Sequence, residues 1–580
     1  MKKIKIIITT LLWLITITTY AEIDSSKNDN FKLEEATIDS IHDAIINHKT
    51  SCEDVIASYI SRIKNYNLSD TTTPSINAIA RINPNVFEQA KTLDQRFLSD
   101  NRLSGPLHCI PVILKDNIDS YDSESTSGSL SLLGNQPVKD AFLASHLRAA
   151  GAIILGKSTM DEFASGVSGI SGGNGRVGNV YDTTQNPGGS SSGSAAAVSA
   201  NFTVIGIGTD NSGSIRVPAA FNGIFGLRPS TGLISQRGIF PRGNMDGIAG
   251  PMARTIKDLA VVLDVIADSD TFDRKTTKIS RPTSYTEFLN KNGLQGKRIG
   301  IITKIAENDT FEDMPEDTKS VFKNAIDNIQ KLNVAIINNI NLAEYNLDRK
   351  YNQAGEKNDI NKYLASYPSV RKNYKDICIS KRTSVFGSEK ECLKFNGKLY
   401  DTNSMEYKKA LEIFSKNKNY VEEIMDKNNL DALLIPVSST GTATYNPHAM
   451  RNEKIASNAG LPGITINVGY TPKSNMPIGF ELIGRQYSEG KLIEMAYAYE
   501  QSISKKLLPP IKTSNSFLER LDINQYNNLL TQIGYDSYEK VLTNSTPGKF
   551  PDDLTANIFQ EIVIKRITML QNEAYKAGKK

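Results

Sequence analysis

The segment GIGTDNSGSIRVPAAFNG, Gly206 to Gly223, leads from an apolar strand into a turn of small residues, Asn211-Ser212-Gly213-Ser214, with Pro218 marking where a helix could begin. Such a turn can aim several backbone N–H groups at one point, as an oxyanion hole requires, and a serine in it is placed to attack a carbonyl. That serine needs a base. GPLHCIPVILKDNID puts Lys115 at the end of an apolar strand. It is either a solvated strand-end residue or a desolvated lysine whose lowered pKa suits it to proton abstraction near neutral pH. The residues alone leave both readings open.

PGGSSSGSAAAVSA, Pro187 to Ala200, has the composition of a flexible linker. Yet its small residues run directly into an alanine-rich helix, whose first-turn N–H groups would make a polar site. It contains G-x-S-x-G centred on Ser191, the pattern of an esterase nucleophile elbow, and the downstream histidine available as its base is His448. GAIILGKS, Gly151 to Ser158, fits a phosphate-loop pattern, but its middle residues are strand formers and SHLRAAG before it reads as a helix. A phosphate loop needs the reverse order, strand then turn then helix, so this stretch reads as scaffold.

These stretches must be held by a larger frame. The chain has 580 residues, 39% hydrophobic and 22% charged, which is ordinary globular composition with material for a large core. Its formal charge of +4, from 67 basic and 63 acidic residues, points to no nucleic-acid partner and no anionic membrane surface. The N-terminus MKKIKIIITTLLWLITITTYAE has basic residues, an apolar run and a small-residue site before Glu22. That is the form of a cleavable signal peptide, residues 1–21, cut after Ala21. The run is shorter than the roughly 20 residues of a spanning helix, so no stable membrane insertion is expected after cleavage. A periplasmic or secreted location follows.

Export permits disulfides. Cys378 and Cys392 share a polar stretch and could close a short loop, whereas Cys52 and Cys109 have apolar neighbours and read as buried thiols. None of the four cysteines has metal-ligand spacing, and five histidines offer little for a metal cluster.

Along the chain, DSIHDAIINHKTSCEDVIASYISRIKNYN has apolar residues at helical intervals and reads as two helices. From Pro106 to about Pro251, strand-like runs (CIPVILK, AIILGK, FTVIGIG) alternate with Gly/Ser-rich loops and alanine-rich helices, an α/β pattern with chemistry on loops at strand ends. Residues from about 271 to 428 are richer in Lys, Asn and Asp and read as a helical, polar excursion. ALLIPV, GITINVGY and PIGFELIG then return as strands, so the sheet is completed from the far part of the chain. The expected organisation is one domain over 22–506 and a C-terminal helical extension over 507–580.

Together these segments resemble the amidase signature family, serine hydrolases with a Ser-Ser-Lys triad, and bacterial peptide amidases within it. GPLHCIPVILKDNID, NPGGSSSGSAAAVSA and GTDNSGSIRVPAAFNGIFGLRPSTG carry the match. DAFLASHLRAAGAIILGKSTMDEFA, GIAGPMARTIKDLAVVLD, ASNAGLPGITINVGY and PIGFELIGRQYSEGKLIEMAYAYEQ support it, and the likeness runs roughly from Lys32 to Lys505. The resemblance implies a large α/β/α domain with a central mixed β-sheet covered by helices. It implies Ser214 as the acylated nucleophile, Ser190 as a bridging serine after a cis peptide bond, Lys115 as the base and Ser191 in support. The backbone N–H groups of Asn211, Ser212, Gly213 and Ser214 would form the oxyanion hole. No metal or organic cofactor is required, and the substrates would be peptide amides or small carboxamides. The DNSGS turn, where many relatives have threonine and glycine in the middle, and Cys109, where glycine is frequent, depart from the family pattern. Two alternatives differ in class: a non-catalytic exported binding protein on this scaffold, and an elbow esterase using Ser191.

Overall fold

Apolar runs bounded by Gly, Pro and polar residues become the strands of one sheet. The computed structural model describes residues 31–68, 75–242, 247–347, 355–380, 383, 403–446, 449–450, 452–503 and 507–511. In chain order the first strands are β1 (Ile79–Ile82), β2 (Pro111–Lys115), β3 (Ile153–Ser158), the short hairpin β4 (Ile170–Ser171) and β5 (Gly175–Arg176), β6 (Ile205–Asp210), β7 (Phe225–Arg228) and β8 (Ile248–Ala253). The later ones are β9 (Arg298–Ile305), β10 (Asn308–Asp309), β11 (Ala335–Leu342), β12 (Ala432–Pro436), β13 (Gly463–Tyr470) and β14 (Pro477–Ile483). Twelve of them form a sheet ordered β1-β3-β2-β6-β8-β7-β13-β14-β12-β9-β10, with β11 also on β9.

The sheet is mixed. β3, β2 and β6 are mutually parallel, β6 to β12 pair antiparallel through β8, β7, β13 and β14, and β12, β9 and β11 are parallel again. β2, β3 and β6 are buried along their whole length. Helices on both faces explain why these strands read as continuous apolar runs rather than as alternating ones. GAIILGKS is therefore scaffold: Ile153–Ser158 is β3, and the buried Lys157 donates to the Ile118 carbonyl and to Ser125 Oγ.

The two early helices form over Ile38–Ile46 and Cys52–Tyr66, each opened by a capping box, at Thr37 and at Ser51. The excursion differs from its expectation. It contributes strands as well as helices, since RIGIITKI becomes β9 and AIINNINL becomes β11. β11 leaves Ala335, Asn338, Asn339 and Asn341 exposed, and these asparagines hid it among the lysines and asparagines around it.

The cysteines also depart from expectation. Cys52 and Cys109 are joined in a disulfide, Cα to Cα 5.4 Å, because the start of the second helix lies against the residues entering β2. Burial among apolar neighbours suits a disulfide as well as a thiol, so local sequence could not separate the two. Cys378 is disulfide-bonded, while Cys392 lies outside the described residues. So do the proposed signal peptide, His448 and the extension beyond residue 511. Among the described residues no helix is long and apolar enough to cross a membrane.

Candidate active site

Parallel pairing of β2 with β6 sets the ends of these strands side by side, with Leu114 opposite Ile207. Lys115, the last residue of β2, therefore points its amine at Thr209. Lys115 Nζ lies 2.9 Å from Thr209 Oγ1, 3.1 Å from the Thr209 carbonyl oxygen and 2.7 Å from Ser190 Oγ. Lys115 is fully buried. Burial pushes its pKa down to about 7, against the pull of the Asp161 and Asp210 carboxylates. The solvated strand-end reading of this lysine does not fit.

Ser190 follows a cis Gly189–Ser190 peptide bond and precedes the helix Ser192–Ser199. That helix is built of small residues and buried on all sides, so it can lie close against the strand ends. Ser191 pins it there: its hydroxyl donates to the Thr209 carbonyl at 3.1 Å and accepts from the Thr209 N–H at 3.2 Å. With its proton committed and its side chain buried, Ser191 is a brace for β6 and is not presented as an elbow nucleophile.

Ser214 lies in the turn between β6 and the helix Arg216–Phe221. That helix starts before Pro218, which is tolerated because a first-turn N–H needs no helical partner. The turn is tied to Ser190 through the backbone, where Ser191 N–H donates to the Ser214 carbonyl at 3.1 Å. No hydrogen bond joins Ser190 Oγ to Ser214 Oγ among the described residues.

A buried charge cluster fixes the turn from below. Asp210 accepts from the N–H groups of Gly213 at 2.8 Å and Ile215 at 3.0 Å, and from Arg216 at 3.1 and 3.2 Å. Arg228 Nη1 adds bonds to its carbonyl and carboxylate. Burial alone would raise the Asp210 pKa, but Arg216 and Arg228 override it and hold the carboxyl well below the usual range. Gly213 has φ +104°, and a Cβ there would fall 2.4 Å from Glu453 Cγ, so only glycine fits.

The cluster changes the expected oxyanion hole. The Gly213 N–H is donated to Asp210, which removes it from the set of four. The N–H groups of Ser212 and Ser214 have no partner among the described residues, while Asn211 anchors the turn sideways through its side-chain amide to the Arg242 carbonyl at 2.9 Å.

The structure thus gathers Lys115, Ser190, Ser191 and the 211–214 turn at one point, from three separated stretches. Sequence reading missed Thr209, Asp210 and Arg216. A signal existed in part, since the polar pair Thr209-Asp210 ends an otherwise apolar strand. As for metals, Cys52, Cys109 and Asp94 lie together, but the disulfide consumes both sulfurs, and Asp94 accepts the N–H groups of Cys52 and Glu53.

The Amidase family matches residues 54–493. A glutamyl-tRNA(Gln) amidotransferase component from Caldanaerobacter subterraneus subsp. tengcongensis is 32% identical over 496 residues, 81% of this chain and 97% of that protein. A probable amidase from Arabidopsis thaliana is 29% identical over 501 residues, covering 82% and 91% respectively. Among solved structures, the native peptide amidase from Stenotrophomonas maltophilia superposes with a TM-score of 0.74 at 30% identity, covering 83% of this chain and 99% of that one.

Proposed function

The chain belongs to the amidase family and acts on amide C–N bonds, and from that premise we propose that it is an exported hydrolase of peptide amides or small carboxamides, working through an acyl-enzyme on Ser214. One observation carries the reading: the buried Lys115 amine, 2.7 Å from Ser190 Oγ. A neutral amine has two N–H bonds and one lone pair. Thr209 accepts both N–H bonds, so the lone pair is left for the Ser190 hydroxyl. A lysine with a pKa near 7 is neutral often enough to use it.

In the first half-reaction, Lys115 takes the Ser190 proton as Ser190 takes that of Ser214. Ser214 Oγ bonds to the amide carbon, and the carbonyl oxygen gains a negative charge to which the Ser212 and Ser214 N–H groups donate hydrogen bonds. The proton passes back through Ser190 to the amide nitrogen, the C–N bond breaks, and the amine or ammonia leaves. Water repeats the sequence on the ester and releases the acid. The Ser214–Ser190 link closes when substrate is present, as catalytic hydrogen bonds tighten in the Michaelis complex.

Export is supported by the N-terminal pattern of residues 1–21 and by the Cys52–Cys109 disulfide, a bond of oxidising compartments. A tRNA-linked amidotransferase role, suggested by the name of the glutamyl-tRNA(Gln) relatives, would need a partner that an exported chain does not meet. The domain is taken as 22–506, with 507–580 appended.

A fluorophosphonate adduct mapped by mass spectrometry tests the reading. The expected result is label on Ser214 that disappears in Lys115→Ala. Label on Ser191 that requires His448 would overturn it in favour of the elbow esterase, and no label on a folded protein would favour the binding protein. For export, a native N-terminus retaining residues before Thr19 would sink the cleavage.

A further inference from the structure

Asp161 follows β3 in the STMDEFA stretch and is almost fully buried beside the candidate triad. Its Oδ1 accepts the Ser168 N–H at 3.1 Å, and its Oδ2 accepts the Gly169 N–H at 2.9 Å. The Ile170 N–H reaches Oδ1 at 3.5 Å. Its own N–H donates to the Ser190 carbonyl at 3.2 Å. The carboxylate also fills the space that side chains at two glycines would need: a Cβ on Gly189 would fall 2.1 Å from Oδ2, and one on Gly166 2.3 Å from Oδ1.

We propose that Asp161 is a positioning residue for the reaction, its carboxylate holding the 166–170 loop against Gly189 and supplying negative charge to Lys115. This rests on the reading of Lys115, Ser190 and Ser214 as the catalytic groups. A carboxylate that accepts backbone N–H bonds in a buried site is stabilised as the anion. Burial raises the Asp161 pKa to about 6, with the Ser168, Gly169 and Ile170 donors and Lys115 pulling it back, so it is mainly ionised at neutral pH. The charges acting on Lys115 are Asp161, after β3, and Asp210, at the end of β6. Asp210 is already matched by Arg216 and Arg228. Asp161 has no such cation against it among its contacts, so its field falls on Lys115.

The sign is fixed. Removing the Asp161 charge takes away a term that favours protonated Lys115, so the lysine loses its proton at lower pH. The test measures the second-order rate of fluorophosphonate labelling at Ser214 against pH. Wild type is the first arm, and absence of label on its Ser214 would defeat the catalytic reading itself. In Asp161→Asn, the acid limb is expected to move to lower pH by about half a pH unit or more, with the plateau rate reduced about tenfold or more by loosening of the loop. An acid limb in its wild-type place, with Ser214 still labelled, would overturn the inference and leave the triad standing. Asp161→Glu serves if the asparagine variant fails to fold. It keeps the charge and displaces the loop bonds, so the limb should hold while the plateau falls, and a wild-type plateau or a moved limb would overturn the inference.

Discussion

Thr209 accepts both hydrogen bonds that a neutral Lys115 can donate, one at its hydroxyl (2.9 Å) and one at its carbonyl (3.1 Å). Rotation of the amine is thereby stopped with its lone pair toward Ser190. Three outcomes are expected. In the proposed mechanism neutral Lys115 is the working form, and with its pKa at about 7, kcat/KM on a carboxamide should rise with pH through about 7 and then level. Lys115→Met should lose roughly 10²- to 10⁴-fold, the range of general base catalysis. Thr209→Val keeps the carbonyl acceptor and removes the hydroxyl, so it should lose activity without loss of Ser190. Initial rates from pH 5 to 9 check all three, and a flat profile across pH 7 would exclude Lys115 as the base.

Arg216 and Glu481 meet at 2.6 Å with no solvent at either side chain, joining the helix after Ser214 to strand β14. Removing one partner of a buried ion pair leaves the other charge unmatched, which destabilises by about 3–5 kcal/mol. Glu481→Ala should therefore lower the denaturation midpoint and slow fluorophosphonate labelling at Ser214, because Arg216 also holds Asp210 under the turn. An unchanged midpoint would mean that the cluster does not carry the turn.

These contacts mark the boundary of what the sequence made legible. Lys115, Ser190 and Ser214 stood out because each interrupts a local pattern: a charge ending an apolar strand, serines opening an alanine helix, a serine in a small-residue turn. β2, β3 and β6 were legible for the same reason, as apolar runs with sharp ends. Glu481 was not, since nothing near β14 says that its buried carboxylate meets an arginine 265 positions earlier. The Gly213 N–H was assigned to the oxyanion hole because backbone donors look alike in sequence, and only the folded turn places Asp210 under it. β9 and β11 were hidden in a stretch rich in lysine, asparagine and aspartate, with Asn338, Asn339 and Asn341 exposed along β11.

Arg242 bridges the 211–214 turn and the excursion. Its carbonyl accepts from Asn211, while its guanidinium donates to Glu356 at 2.7 Å and to Ser165 Oγ at 2.8 Å. Glu356 opens the helix Glu356–Ala365, and its side chain is 4% exposed. Burial raises the Glu356 pKa and Arg242 opposes that rise, so Arg242→Gln should raise it further. A carboxylate with a folded pKa above its unfolded one lowers stability as pH rises through that interval. The variant should thus lose more melting temperature relative to wild type at pH 8 than at pH 5, and equal losses at both would exclude Glu356 as the group responsible.

The Cys52–Cys109 disulfide joins positions 57 apart, for which loop-closure entropy gives about 4 kcal/mol of stabilisation. Cys109 also sits at φ +63°, a left-handed conformation that side-chain-bearing residues adopt at a cost. The two effects can be separated by what replaces Cys109. Cys52→Ala with Cys109→Ala removes the cross-link and keeps a strained residue. Cys52→Ala with Cys109→Gly removes the cross-link and relieves the strain, which should return about 1 kcal/mol. The expected order of unfolding midpoints in guanidinium is wild type, then the glycine pair, then the alanine pair. Equal midpoints for the two double variants would show that the residue entering β2 relaxes out of the left-handed region once the bond is gone. A wild-type midpoint in both would show that the cross-link does not support the approach to Lys115.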